Sequence, residues 1–241
     1  MKPNPLLLAA AVAVACLPFS SRADGPSFRI ALGDSTSDVQ RPIWLSDSLE
    51  AIYQYDDGTA ESYLIPLLNG GDDQPEAIFL EQFEVIPGQN VIDSIAVAWG
   101  SEVGTRPGGL NGQPVTLGIW SDPDNDGQPY DAVLLGWVEG VVSSANTDTF
   151  VRFTFNHPVT IPDEGPNSFF LGFKTPAIRH GFADNKGHSF AGVDLTSSAG
   201  KGWLIWNDPR PTVRLKHPGE NLVILPLDFL EPGNLMIRSG F

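Results

Sequence analysis

The chain is short of cysteine, of basic charge and of long apolar runs, and each shortage removes a class of protein. Its one cysteine, Cys16, lies in an N-terminal stretch with the pattern of a leader. The mature fold is therefore expected to hold no disulfide, no thiolate nucleophile and no thiolate-ligated metal. Lysine and arginine number 14 against 29 aspartates and glutamates, a net charge of −15 at pH 7. A surface of that sign repels nucleic-acid phosphates and anionic lipid, so neither is an expected partner and divalent cations are better ones. The longest apolar run, Leu6 to Leu17, is about a dozen residues where crossing a bilayer takes ~20. No membrane span is expected.

That run follows Lys2 and precedes Ser21-Arg22-Ala23, which offers small residues where a signal peptidase inspects the chain. Residues 1–23 are read as a signal peptide, making the protein secreted, whether extracellular or periplasmic. Ala13-Val14-Ala15-Cys16 supplies a second export reading, a weak lipobox that would place a lipid on Cys16. Residues 24–50 are polar with little pattern, an extended N-terminal segment, and residues 51–241 form the expected domain.

What is abundant is turn chemistry. The chain carries 25 glycines and 21 prolines, spread so that few windows could hold a long helix. The apolar period is two. In "VIDSIAVAWG" Ile95, Val97 and Trp99 alternate with Ser94, Ala96 and Ala98; "TFVRFTF" and "SFFLGFKT" repeat the pattern, as half-buried antiparallel strands do. Further strands are expected over Ile52 to Tyr55, Tyr63 to Leu67, Ile78 to Val85, Val115 to Trp120, Leu134 to Val142, Ser189 to Val193, Trp203 to Trp206 and Leu235 to Arg238. About ten short strands punctuated by such turns predict an all-β, antiparallel β-sandwich, jelly-roll-like in character.

Two stretches invite a catalytic reading. Gly33-Asp34-Ser35, behind Phe28 to Leu32 and ahead of Asp38, resembles the opening block of the GDSL-type esterases, which implies Ser35 as nucleophile with a histidine as base. The family's closing Asp-x-x-His block and its Gly-x-Asn-Asp block are missing; Asp184 to His188 is spaced one residue too far, and Trp206-Asn207-Asp208 lacks the glycine. Pro42 also sits badly in the helix that should follow the serine. A turn serine is the expected role, with a hydrolase kept as the alternative, either through Ser35 or through an acid pair of the glycosidase kind. His157, His180, His188 and His217 show no metal-binding spacing, and the prolines after His157 and His217 point to extended or turn backbone.

The most pointed chemistry is "SDPDNDGQPYD". Asp122, Asp124 and Asp126 occupy positions one, three and five of a calcium-type loop with Gly127 at the bend. Position twelve is Val133, which excludes the helix-flanked version; Asp131 or the backbone carbonyl of Gln128 would complete an oxygen shell. A structural calcium held by Asp122, Asp124, Asp126, Gln128 and Asp131 is the expectation, against an ordinary polar hairpin loop. Just before it, Val115, Leu117 and Ile119 share one strand face, which leaves Trp120 on the other as a ligand-contact candidate of the sugar-stacking kind.

Three stretches together, "YQYDDGTAESY", "VTLGIWSDPDNDGQPYDAVLL" and "PGNLMIRSGF", resemble a poorly characterised β-sandwich domain of secreted bacterial proteins, found alone or appended to exported peptidases. The resemblance covers roughly residues 50–241. This chain departs from it at Leu235, where the closing strand usually has tryptophan. The resemblance implies a non-catalytic module and names no ligand; surface recognition of a glycan or an extracellular protein, or a purely structural role, is the expected function.

Overall fold

The computed structural model describes residues 51–64, 74–100, 111–162, 168–178, 190–207 and 212–240. Within them the chain is antiparallel β throughout. A six-stranded sheet has the order β10 (Val223–Pro226), β9 (Gly202–Trp206), β2 (Ala77–Glu84), β7 (Ser168–Thr175), β4 (Pro114–Ser121), β5 (Val133–Val141). Facing it are two three-stranded sheets, β12 (Ile237–Ser239), β3 (Val91–Ala98), β6 (Phe150–Thr160) and β1 (Ser62–Leu64), β8 (Ala191–Asp194), β11 (Asn234–Leu235). Backbone bonds splice these two into one layer: Ala98 N–H donates to Met236 O at 3.0 Å and Met236 N–H to Gly192 O at 3.1 Å.

The core lies between the layers. Phe79, Leu117, Ile119, Phe169, Leu171, Phe173 and Leu204 from the large sheet meet Ile95, Val97, Trp99, Phe155, Val193 and Ile237 from the opposing layer. This is the alternation the sequence shows, every second residue turned inward. Central strands β2 and β7 are buried on both faces, however, because the outer face of the large sheet is also covered. Ile78, Leu80, Trp120, Phe170, Trp203 and Ile205 form a second apolar cluster there, capped by Val213 and Leu215. Hence "AIFLEQF" and "SFFLGF" read as near-continuous apolar runs.

Two strand expectations need correction, and one strand is additional. Ile52 to Tyr55 makes only an isolated bridge, Tyr53 to Ser239. Leu235 to Arg238 is split at Met236, because β11 pairs with β8 and β12 with β3. Val223–Pro226 is a further strand outside those expectations; it pairs only with β9, at a sheet edge where the N–H that proline lacks is tolerated.

One inward position on β2 is ionisable. Glu81, between Phe79 and Phe83 on β2, is fully buried. Its Oε2 accepts the Leu235 N–H at 3.0 Å, a bond that reaches from the large sheet to the opposing layer, while Oε1 has no partner. Burial pushes its carboxyl up to about 8, opposed by that N–H and, more weakly, by the Lys201 charge, with Asp228 and Asp56 adding to the rise.

Candidate functional site

The acidic loop joins β4 to β5 at the margin of the large sheet. Asp122, the first residue after β4, is fully buried. Its Oδ2 accepts the Gly127 N–H at 3.0 Å, and Ser168 Oγ on β7 sits between that oxygen and Asn125 Oδ1, the latter 2.8 Å away. Gly127 has φ +77, and a side-chain carbon there would meet the Gln82 amide at 2.8 Å. The left-handed backbone favours glycine there, and the Gln82 amide fills the space a side chain would take. Asp131 closes the loop by accepting the Asp124 N–H at 2.9 Å.

Carboxylate oxygens of Asp122, Asp124 and Asp131 lie within 4.8 Å of one another. Asp122 Oδ1 and Asp131 Oδ1 are buried and have no hydrogen-bond partner. Burial raises both carboxyls above the ordinary range, and the surrounding carboxylates add to the rise; the Ser168 and Gly127 donors oppose it at Asp122, the Asp124 N–H at Asp131. The five-residue ligand set expected from the sequence is thus brought together only in part. Asp126 turns away and accepts from Gln128 instead, its Oδ1 from the backbone N–H at 2.7 Å and its Oδ2 from Nε2 at 2.8 Å. Both side chains are engaged with each other.

A second acidic group, Asp57, Glu61 and Asp194, is equally close-set but differs in one respect: none of its carboxylate oxygens is both buried and without a hydrogen-bond partner. Backbone donors engage it: Asp57 N–H and Thr196 N–H bond to Asp194 at 2.9 and 2.7 Å, Thr59 N–H to Asp57 at 2.9 Å, and Leu195 N–H to Glu61 at 2.8 Å. These carboxylates anchor turns.

Trp120 stands on the outer face of β4, as its parity requires, but it is not a surface platform. It has no exposure. The segment 212–216 crosses over it, and its Nε1 donates to Leu215 O at 2.8 Å. Among the described residues the exposed indole is Trp137, 53% accessible, which stands opposite Gly118 on the same outer face. It lines a shallow groove of about 490 Å³ with Thr116, Glu139 and Lys174 on the sheet and Arg214, His217 and Glu220 on the covering segment. Lys174 pairs with Glu76 at 3.0 Å, and Arg214 with Glu220. Sequence reasoning passed over Trp137, although β5 carried the signal: Trp137 and Glu139 share a parity opposite to Gly136, Val138 and Gly140, and a glutamate on that parity marks the wet face.

Loop and groove are contiguous. Gly219 packs on the loop backbone so closely that a side-chain carbon there would lie 1.7 Å from Tyr130 O. Leu134 N–H, just past the loop, donates to Lys216 O at 3.1 Å. Ser35, His180, His188 and Asp184, and Cys16 with the leader, lie outside the described residues. His157 and His217 are exposed. Among the described residues no helix is long and apolar enough to cross a membrane. No family model matches the chain, and no curated protein or solved structure matches it.

Proposed function

We propose that this chain is a secreted, non-catalytic β-sandwich module that recognises a glycan through the groove around Trp137. The observation that carries the reading is a half-exposed indole flanked by Leu134 and Glu139 on its own strand and by polar or charged side chains of β4, β7 and the covering segment. Sugars present an apolar C–H face and a rim of hydroxyls. A flat ring takes the first and a ring of fixed donors and acceptors takes the second. Thr116, Glu139, Lys174, Arg214 and His217 supply both kinds of partner. A protein interface fits less well, because its centre is depleted in charge. The resemblance of residues 53–63, 115–135 and 232–241 to a non-catalytic domain of exported proteins supports only the non-catalytic part of this reading.

Affinity electrophoresis of the protein through gels containing soluble neutral or uronic polysaccharides tests it. Retardation in at least one gel, lost in Trp137→Ala, with no release of reducing ends, is expected. Absence of retardation in every gel, or retardation unchanged by the substitution, would overturn it; hydrolysis of the retained polymer would replace it with the glycosidase reading.

A further inference from the structure

The acidic loop holds two carboxylate oxygens that the protein itself leaves without partners. Asp122 is fully buried with Oδ1 unbonded, and Asp131 Oδ1 is likewise buried and unbonded. A buried acceptor without a donor costs about 1–3 kcal/mol, and more when charged. A bridging water could donate to each oxygen, yet it would leave converging negative charges uncompensated, in a protein whose net charge is already −15. The acidic group at Asp57, Glu61 and Asp194 shows the contrast, since none of its carboxylate oxygens is both buried and without a partner.

We propose that Asp122, Asp124 and Asp131 bind one divalent cation, calcium, with water filling the remaining positions. The donors are all carboxylate oxygen, with no imidazole or thiolate, which selects a hard cation. Calcium accepts an irregular shell of six to eight oxygens, whereas magnesium demands a near-ideal octahedron and keeps its water reluctantly exchanged. A margin loop with one buried and one exposed carboxylate suits the former. Asp126 and the Gln128 side chain take no part, being bonded to each other.

The site has a consequence for the groove, and this part rests on the glycan reading. Asp131 follows Tyr130, on whose carbonyl Gly219 is seated, and Lys216 O receives the Leu134 N–H. An ion that fixes the loop thereby fixes the wall formed by residues 214–220.

The test separates the two parts. The full chain is stripped with chelator, desalted and titrated calorimetrically with calcium chloride, and its melting temperature is followed with calcium and with magnesium. One site with Kd on the order of 0.1–1 mM is expected, with a rise in Tm of roughly 3–6 °C at ten times Kd and a smaller response to magnesium. Asp131→Asn and Asp124→Asn should abolish heat and shift, while Asp126→Asn keeps both. Asp124 is exposed, so that variant remains informative if replacing buried Asp122 prevents folding. No heat and no shift at 10 mM calcium, or a shift retained in Asp131→Asn, overturns the site. Calcium binding with no effect on polysaccharide retardation upholds the ion and removes only its link to the groove.

Discussion

Arg238 grips Asp56 with two nitrogens, Nε at 3.1 and 3.2 Å from the two carboxylate oxygens and Nη2 at 2.5 Å from Oδ1, across a sequence separation of 182 residues. Asp56 is fully buried at its side chain, and the guanidinium also lies 4.0 Å from the centroid of the Phe150 ring. The pair ties the "YDDG" turn at the start of the domain to the closing strand β12. A forked donor on a carboxylate is a geometry lysine cannot reproduce.

Removing Asp56 leaves a half-buried guanidinium without its carboxylate. Asp56→Ala is expected to cost about 3–5 kcal/mol, and Arg238→Lys to fall between it and the wild type, by urea denaturation at constant m-value. A loss under about 0.5 kcal/mol for Asp56→Ala would show that the clamp contributes little.

Glu81 makes stability depend on pH. Its folded-state pKa of about 8 stands above the ordinary glutamate value of 4.5, so below about pH 4.5 both states hold the proton and there is no penalty. Between 4.5 and 8 the unfolded chain has released it and the folded chain retains it, so stability falls as pH rises, by up to ~1.4 kcal/mol per unit. Above 8 the loss is complete. Glu81→Gln keeps an acceptor for the Leu235 N–H and should gain on the wild type steadily from pH 5 to pH 8. Parallel stability curves for the two proteins would contradict the assignment.

The two tryptophans of the outer face should separate stability from recognition. Trp120→Ala empties a fully buried site and deprives Leu215 O of its donor, with an expected loss of about 3–5 kcal/mol. Trp137→Ala should change stability by less than about 0.5 kcal/mol, as surface substitutions do, while abolishing polysaccharide retardation. Thermal melts of both variants beside the binding gels decide this. Equal destabilisation by the two would place Trp137 in the core.

Gly219→Ala tests the contact between groove and loop. The added carbon has no room against Tyr130 O, so the turn at Pro218–Glu220 must lift. The expected cost is roughly 1–3 kcal/mol, with a red shift in tryptophan emission as the segment over Trp120 loosens. An unchanged spectrum and melt would mean the turn shifts freely without disturbing its neighbours.

The strands were legible in the residues because an inward-outward alternation is a local property. Phe169, Leu171 and Phe173 declare a buried face whatever lies across from them, and the glycine, proline and asparagine clusters mark where the chain turns. The acidic loop was legible for the same reason, its spacing being contained in ten residues. Even the parity of Trp120 and Trp137 could be read off their strands.

Which of those outward faces stays wet was decided elsewhere. Trp120 is dry because Leu215, 95 residues onward, lies across it, and nothing in "GIWSD" announces that cover. The convergence of Asp122, Asp124 and Asp131, the diversion of Asp126 to Gln128, and the burial of Glu81 against Leu235 are of the same kind. Sequence by itself determined the period of the chain and therefore its sheets, since backbone pleating acts between nearest neighbours. Only the tertiary structure decided which polar groups lost their water and which found partners, because desolvation is set by whatever distant segment folds over a site.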